Sequence, residues 1–243
     1  MIYDSPDLYL DTVYDNKIVQ KTDEKFNIRS KALKNAAYEY GTQAGLYWAS
    51  ETINRTLRLI SNTLDQVYNF APLILESNIL PPVIISSKNK MQVQDYKVTF
   101  SGSFYKIVRP AKFYSNMPTW HDYLILNYPE PLKPDISIMP KNTQEQSLWN
   151  RYLSDATVIG VNQAKQIYTQ KLSELERDYV GMIYYKRLFS NGMVDYPVIS
   201  STQLAVSAKD NAMSIDNRAL MIDKQPQLNA NLQDWKPEVE ALR

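Results

Sequence analysis

The sequence predicts an α+β fold: two long helices packed on small antiparallel sheets, helix-rich, in a single elongated domain. Three observations carry this. Apolar residues recur at helical spacing from about Ser30 to Asn69, and again from Thr143 to Asn191-Gly192. Between and after these stretches the apolar pattern alternates with a period of two, as in half-buried strands. Prolines gather between 115 and 141, separating the first strand region from the second helix. The body is read as residues 30–225, preceded by an acidic arm at 1–29 and followed by an extended tail at 226–243 that carries Trp235.

The arm has little periodicity. Asp4, Asp7, Asp11, Asp15, Asp23 and Glu24 face only Lys17 and Lys21, so it reads as acidic and partly flexible. Its apolar knots, Leu8-Tyr9-Leu10 and Val13-Tyr14, can dock it on the body or on a partner. Ser30 is the expected N-cap of the first helix. That helix carries Leu33, Ala37, Tyr40, Ala44 and Trp48 on one stripe, then Leu46, Ala49, Ile53, Leu57, Ile60, Leu64 and Val67. Ala37, Gly41, Gly45 and Ala49 form a ridge of small residues at spacing four. Such a ridge lets another backbone approach closely. Within a membrane it would suggest helix dimerisation, but Glu39, Gln43 and Glu51 mark a water-exposed helix, and tight packing within the chain or an oligomer contact is expected instead.

Pro81-Pro82 closes an apolar stretch from Phe70 to Leu80, and Val83-Ile84-Ile85 reads as a strand. Alternation at Tyr96, Val98 and Phe100, then Phe104, Lys106 and Val108, predicts a hairpin turning at Ser101-Gly102-Ser103. Residues 88–112 hold six bases against Asp95. Basic strands interleaved with aromatics can bind single-stranded nucleic acid; lysines on a sheet edge equally prevent edge-to-edge association.

Trp120, His121, Asp122, Tyr123 and Leu124 are expected in one short helical turn after Pro118. Thr143-x-x-Gln146 predicts a capping box for the second helix, with a break near Gly160 and a glycine C-cap at Asn191-Gly192. Glu174 and Asp178 share a helix face, either solvated beside Lys171 and Arg177 or able to recruit a divalent cation. Strands are expected at Val194–Ile199, Leu204–Val206, Met213–Ile215 and Ala219–Ile222, with a turn at Asp216-Asn217.

Composition narrows function. The chain has 243 residues, net charge +1, no cysteine, one histidine, 6 glycines and 18 tyrosines. The absence of cysteine excludes disulfides, iron–sulfur clusters and thiol nucleophiles. A lone histidine argues against a multi-histidine metal centre. Few glycines leave few phosphate-cradling loops, and no P-loop, G-x-S-x-G or H-E-x-x-H sequence occurs. No apolar run is long enough to span a bilayer. No catalytic residue, metal site or cofactor is expected, and a binding or structural protein is favoured over an enzyme. A hydrolase would need converging carboxylates in a cleft. Tyrosine and tryptophan are enriched at interfaces, which makes Trp120, Tyr123, Tyr128 and Trp235, with Tyr184 and Tyr185, the expected contact residues.

The chain resembles the DotC family, the TraI-type lipoproteins of type IVB Dot/Icm secretion and related conjugation systems. An ordered series of segments carries the resemblance: Tyr40-Gly41-Thr42-Gln43-Ala44-Gly45-Leu46, Ile53-Asn54-Arg55, Leu80-Pro81-Pro82-Val83, Tyr105-Lys106-Ile107-Val108, Pro118-Thr119-Trp120-His121-Asp122-Tyr123-Leu124, Pro140-Lys141-Asn142 with Glu145 and Trp149, Arg177-Asp178-Tyr179 with Gly181-Met182, and Trp235-Lys236-Pro237. The resemblance implies a periplasmic protein held to the inner face of the outer membrane by a lipidated cysteine that this chain lacks. It implies DotD-like and DotH-like partners, self-association in a ring, and no catalytic residues. The alternative is a single-stranded nucleic-acid-binding module using the 88–112 hairpin.

Overall fold

A computed structural model describes residues 23–94, 97–203, 207–209, 212–214 and 218–236. The knots at Leu8–Tyr14, the strand expected at Leu204–Val206 and the turn at Asp216-Asn217 lie outside these residues. The α+β class is what the structure shows. In chain order the elements are α1 (Asp23–Leu59), α2 (Ser61–Val67), β1 (Ile79–Leu80), β2 (Val83–Gln94), β3 (Lys97–Arg109), β4 (Lys112–Phe113), α3 (Trp120–Leu124), α4 (Thr143–Ser190), β5 (Val198–Gln203), β6 (Ser207–Lys209), β7 (Ala212–Ser214) and β8 (Arg218–Lys224). Packing gathers them into two compact units. The first takes the chain up to Gln66 and Trp120–Ser173; the second takes Val67–Thr119 and the chain from Glu174 onward.

Four boundaries differ from expectation. Helix α1 begins at Asp23, so Ser30 is a helix-interior residue and not its N-cap. It ends at Leu59, where the Ile60 N–H tightens onto the Leu57 carbonyl at 3.2 Å. Ser61 and Asn62 follow, and short polar side chains of this kind compete for backbone groups and weaken a helix interior. The hairpin does not turn at Ser101-Gly102-Ser103. Gln94 pairs with Lys97, while Ser101 and Ser103 sit inside β3 opposite Lys90 and Lys88. Helix α4 runs 48 residues without a break at Gly160.

The ends of α4 explain how so long a helix is held. Asn142 Oδ1 accepts from the Glu145 N–H at 2.8 Å, and Glu145 Oε2 accepts from the Lys141 N–H at 2.8 Å. The cap therefore uses Asn142 and Glu145, one residue before the expected Thr143 and Gln146, and satisfies two backbone donors reciprocally. At the other end Gly192 adopts φ +71°, the Gly192 N–H reaches the Phe189 carbonyl at 3.0 Å and the Met193 N–H reaches the Leu188 carbonyl at 2.9 Å. This is a Schellman closure, which favours glycine because no Cβ clashes at positive φ.

In the first unit, α1 and α4 pack side by side and run in the same direction. A Cβ on Gly41 would lie 2.6 Å from the Leu153 carbonyl oxygen, one on Gly45 2.2 Å from the Thr157 oxygen, and one on Gly160 2.1 Å from the Thr42 oxygen. Glycines on both helices thus let the two backbones meet. This explains why Gly160 does not break α4: its helix-propensity cost of ~1 kcal/mol is set against close packing. Leu33, Ala37, Tyr40 and Ala44 from α1 close around Trp149 and Leu153 from α4 as one core cluster. The ridge residue Ala49 is also buried.

The second unit is built on β2 and β3, paired antiparallel from Val83↔Arg109 to Gln94↔Lys97. Opposite residues share a face. Ile84 and Ile107, with Tyr105, pack against Tyr185, Leu188 and Val194 in a second core cluster. Gly181 admits the strand, since a Cβ there would meet Val83 Cγ1 at 2.4 Å. Two further two-stranded sheets pair β5 with β8 and β6 with β7.

Gly45→Ala and Gly160→Ala are each expected to lower stability by roughly 1–3 kcal/mol, as overpacking does, despite alanine's better helix propensity. Both force the same two backbones apart, so the double variant should fall short of additivity. Denaturant midpoints of the single and double variants measure this.

Candidate interaction surfaces

In the second unit a buried charge cluster ties α4 to the β2–β3 ribbon. Asp178 is fully buried. One of its carboxylate oxygens accepts from Arg109 Nη1 on β3, and the other accepts from Arg177 Nε at 3.2 Å and Nη2 at 3.1 Å. A buried carboxylate requires such donors. The expectation that Glu174 and Asp178 present a solvated face is therefore corrected for Asp178, which serves the fold. Among the described residues no group of three or more His, Asp or Glu is placed to hold a metal.

Nearby, Tyr185 is buried and its hydroxyl donates to the Asp195 carbonyl at 3.2 Å. Burial, together with Tyr196 and Asp195, pushes its phenol far above the ordinary range. Below the ribbon lies a groove of about 420 Å³ lined by Ser103, Tyr105, Leu188, Met193, Leu228, Asn229 and Trp235. The C-terminal segment forms one wall. Leu228 bridges Val194, the Asn229 N–H reaches the Met193 carbonyl at 2.9 Å and the Lys236 N–H reaches the Asn191 carbonyl at 2.9 Å. Trp235 Nε1 donates to the Asn229 carbonyl at 3.0 Å.

The β5–β8 ribbon is solvent-facing along its described length. Apart from half-buried Ile199, Ser200 and Ile222, its residues are exposed, with Met221 at 63%, Val198 at 51% and Leu220 at 38%. Large apolar side chains at these exposures on a two-stranded ribbon are unusual, because such a ribbon is marginal in water by itself.

In the first unit the polar contacts are inward. Asn54 is buried and uses both ends of its amide on one residue: Nδ2 donates to the Leu126 carbonyl at 2.8 Å and Oδ1 accepts from the Leu126 N–H at 3.0 Å. Arg29 clasps Glu145, with Nε to Oε1 at 2.8 Å and Nη2 to Oε2 at 3.1 Å, and also donates to the Ser137 and Met139 carbonyls. Burial raises the Glu145 pKa, but the hydrogen bonds from Arg29 and the Lys141 N–H outweigh it and hold the carboxyl below its ordinary value of 4.5.

The residues expected at an interface separate into two groups. Trp120 is 1% exposed, its Nε1 donates to Asp65 Oδ1 at 2.7 Å, and its ring stacks on His121 at 3.7 Å. It is a core residue, as is Tyr185; neither presents contact surface, which corrects that expectation for both. Tyr123, Tyr128 and Tyr184 are half-buried, and Tyr184 packs on the second core cluster. Only Trp235, at 36%, is exposed, as part of the groove wall. The exposed apolar residues Val198, Leu220 and Met221 escaped the sequence reading. Their β pattern was visible, but nothing in it said that these side chains stay exposed among the described residues.

One unit is helical and the other joins the end of α4 to ribbons. The chain belongs to the type IV secretory system, conjugal DNA–protein transfer family, whose model matches residues 27–237. No curated protein is similar enough to match. The matched span contains both units' cores, including Asn54, Trp120, Trp149 and Asp178.

Two measurements test these assignments. Stability contributed by Glu145 is present above its ordinary value of 4.5 and is lost as pH falls through the lower folded value. Glu145→Gln should therefore flatten the acid limb of the stability–pH curve below that value. Trp120→Ala should cost about 3–5 kcal/mol, with most of the loss appearing as a lowered unfolding midpoint.

Proposed function

We propose that the chain is a structural scaffold subunit of a type IVB, Dot/Icm-like secretion system, of the DotC kind. In this reading it is a lipoprotein, held in the periplasm at the inner face of the outer membrane through a lipidated cysteine outside this sequence. It acts with a DotD-like lipoprotein to place a DotH-like subunit in the outer-membrane core complex, and so supports export of effector proteins or conjugative DNA. It is not an enzyme, and it takes no cofactor.

The single observation that carries the scaffold reading is the β5–β8 ribbon. Exposed Val198, Leu220 and Met221 are costly in water and are expected at protein contacts. The family match supports the secretion setting. The ordered segments quoted above support the DotC-like branch within it. No helix of the described residues is long and apolar enough to cross a membrane, so attachment in this reading falls to the lipid.

The test is co-purification of a tagged full-length protein from detergent-solubilised envelopes of the native cell. Recovery of DotD-like and DotH-like subunits in the outer-membrane fraction is expected. Met221→Asp with Val198→Asp should reduce that recovery at least ten-fold while leaving the unfolding midpoint within about 0.5 kcal/mol of the parent, as for surface changes. Undiminished recovery in the double variant would remove the ribbon from the interface. Absence of both partners would overturn the scaffold assignment.

A further inference from the structure

We propose that the outer half of the β2–β3 ribbon docks on an anionic lipid surface. The pairing register divides the ribbon into two faces, because opposite residues share a side and successive residues alternate. Nearer the body, one face holds Ile84, Ile107 and Tyr105, which pack against Tyr185 and Leu188. Farther out the same face holds only polar residues: Lys88 opposite Ser103, Lys90 opposite Ser101, Gln92 opposite Thr99 and Gln94 opposite Lys97. The second face does the reverse. It begins with Ile85 opposite Lys106 and Ser87 opposite Phe104, and ends with Met91 opposite Phe100 and Val93 opposite Val98.

The apolar side of the ribbon therefore changes over between Tyr105 and Ser103. The second core cluster takes the first face near the body, which leaves Met91, Phe100, Val93 and Val98 on the ribbon face opposite to it. At the near end of that face Ile85 is 36% exposed and Ser87 is exposed. Lys88 and Ser103, where the polar run begins, are exposed too. Apolar residues on one face and charge on the other mark an element that lies in a membrane interface.

Charge decides the occupant. The polar run carries Lys88, Lys90 and Lys97 and no acid, which suits anionic headgroups. A second copy of the chain would cover the apolar run but bring the same lysines again and nothing to meet them. A single-stranded nucleic acid needs phosphate contacts and base stacking in one groove, and the register sets Phe100 and the lysines on opposite faces. Among the described residues β2 and β3 form a sheet of two strands, so every position is at an edge. A lysine's flexible stem can therefore bend past the ribbon to the headgroups. The same edges keep the ribbon out of the hydrocarbon, where no water would satisfy them, and hold it in the headgroup plane.

The chain has no cysteine, so single cysteines carrying an environment-sensitive fluorophore report each position on the purified chain. They replace Lys90, Met91, Gln92 and Val93 in turn, and Val98, Thr99, Phe100 and Ser101 across the ribbon. The probe is a vesicle of phosphatidylglycerol mixed with phosphatidylcholine. Emission should shift to the blue at Met91, Val93, Val98 and Phe100, and stay aqueous at Lys90, Gln92, Thr99 and Ser101. The unlabelled chain should sediment with these vesicles about ten-fold more strongly than with phosphatidylcholine alone, and Lys88→Glu with Lys90→Glu should remove that excess. A blue shift in neither set, an equal shift in both, or equal sedimentation with the two vesicles would overturn the proposal. So would a shift of the apolar set without lipid. If that shift grows with protein concentration, a second copy covers the face; if it does not, the chain's own residues do. The assay needs neither a partner subunit nor a lipidated cysteine, so its failure is distinguishable from failure of the secretion-scaffold reading.

Discussion

The approach of two helix backbones to within a glycine's width is the constraint on which the first unit depends. Gly41 and Gly45 on α1 and Gly160 on α4 each face a carbonyl of the other helix. Where no Cβ intervenes, Cα–H groups can face carbonyl oxygens, a weak but recurrent helix–helix contact. More important is what the spacing permits around it. Trp149 is buried completely between Leu33, Ala37, Tyr40 and Ala44, and the Arg29–Glu145 clasp forms beside the N-terminus of α4. A helix pair held farther apart would leave the indole short of contacts and the Glu145 carboxylate buried without its guanidinium. With no cysteine in the chain, tight packing rather than disulfides joins these segments far apart in sequence.

The second unit solves a different problem. Two-stranded ribbons bury little and need a body to hold them. Asp178 supplies one anchor, since a buried carboxylate that engages Arg109 on β3 fixes ribbon to helix through a charge that cannot be left unpaired. Gly181 supplies another by letting Val83 and Ile84 lie against the α4 backbone. The Schellman turn at Gly192 then redirects the chain so that Met193 and Val194 complete the core beside Tyr185 and Leu188. On β5 and β8, Val198, Leu220 and Met221 remain exposed among polar neighbours.

The segments that carry the resemblance are mostly those that hold the fold. Tyr40, Gly41, Ala44 and Gly45 form the α1 contact face, Asn54 caps both backbone groups of Leu126, Trp120 anchors to Asp65, and Asp178 gathers two arginines. Aromatic residues in such segments are therefore ambiguous guides to an interface. A large aromatic residue is as readily a core anchor as a contact, and Trp120 and Tyr185 are buried in the core.

The sequence by itself determined the α+β class, the two long helices, the ridge of small residues, the short turn at Trp120 and the glycine that ends α4. Each is a local property, set by periodicity, by small side chains at fixed spacing or by one residue's tolerance of positive φ. Only the tertiary structure decided the rest. Gly160 looked like a helix breaker because propensity counts its cost and cannot see the α1 backbone opposite. Ser101-Gly102-Ser103 looked like a turn because the composition of a turn and of a glycine-bearing strand is the same until pairing is known. Asp178 looked solvated because its arginine lies 69 residues away in sequence. Burial and pairing depend on contacts between distant residues, and no local pattern encodes which of two faces a partner will cover.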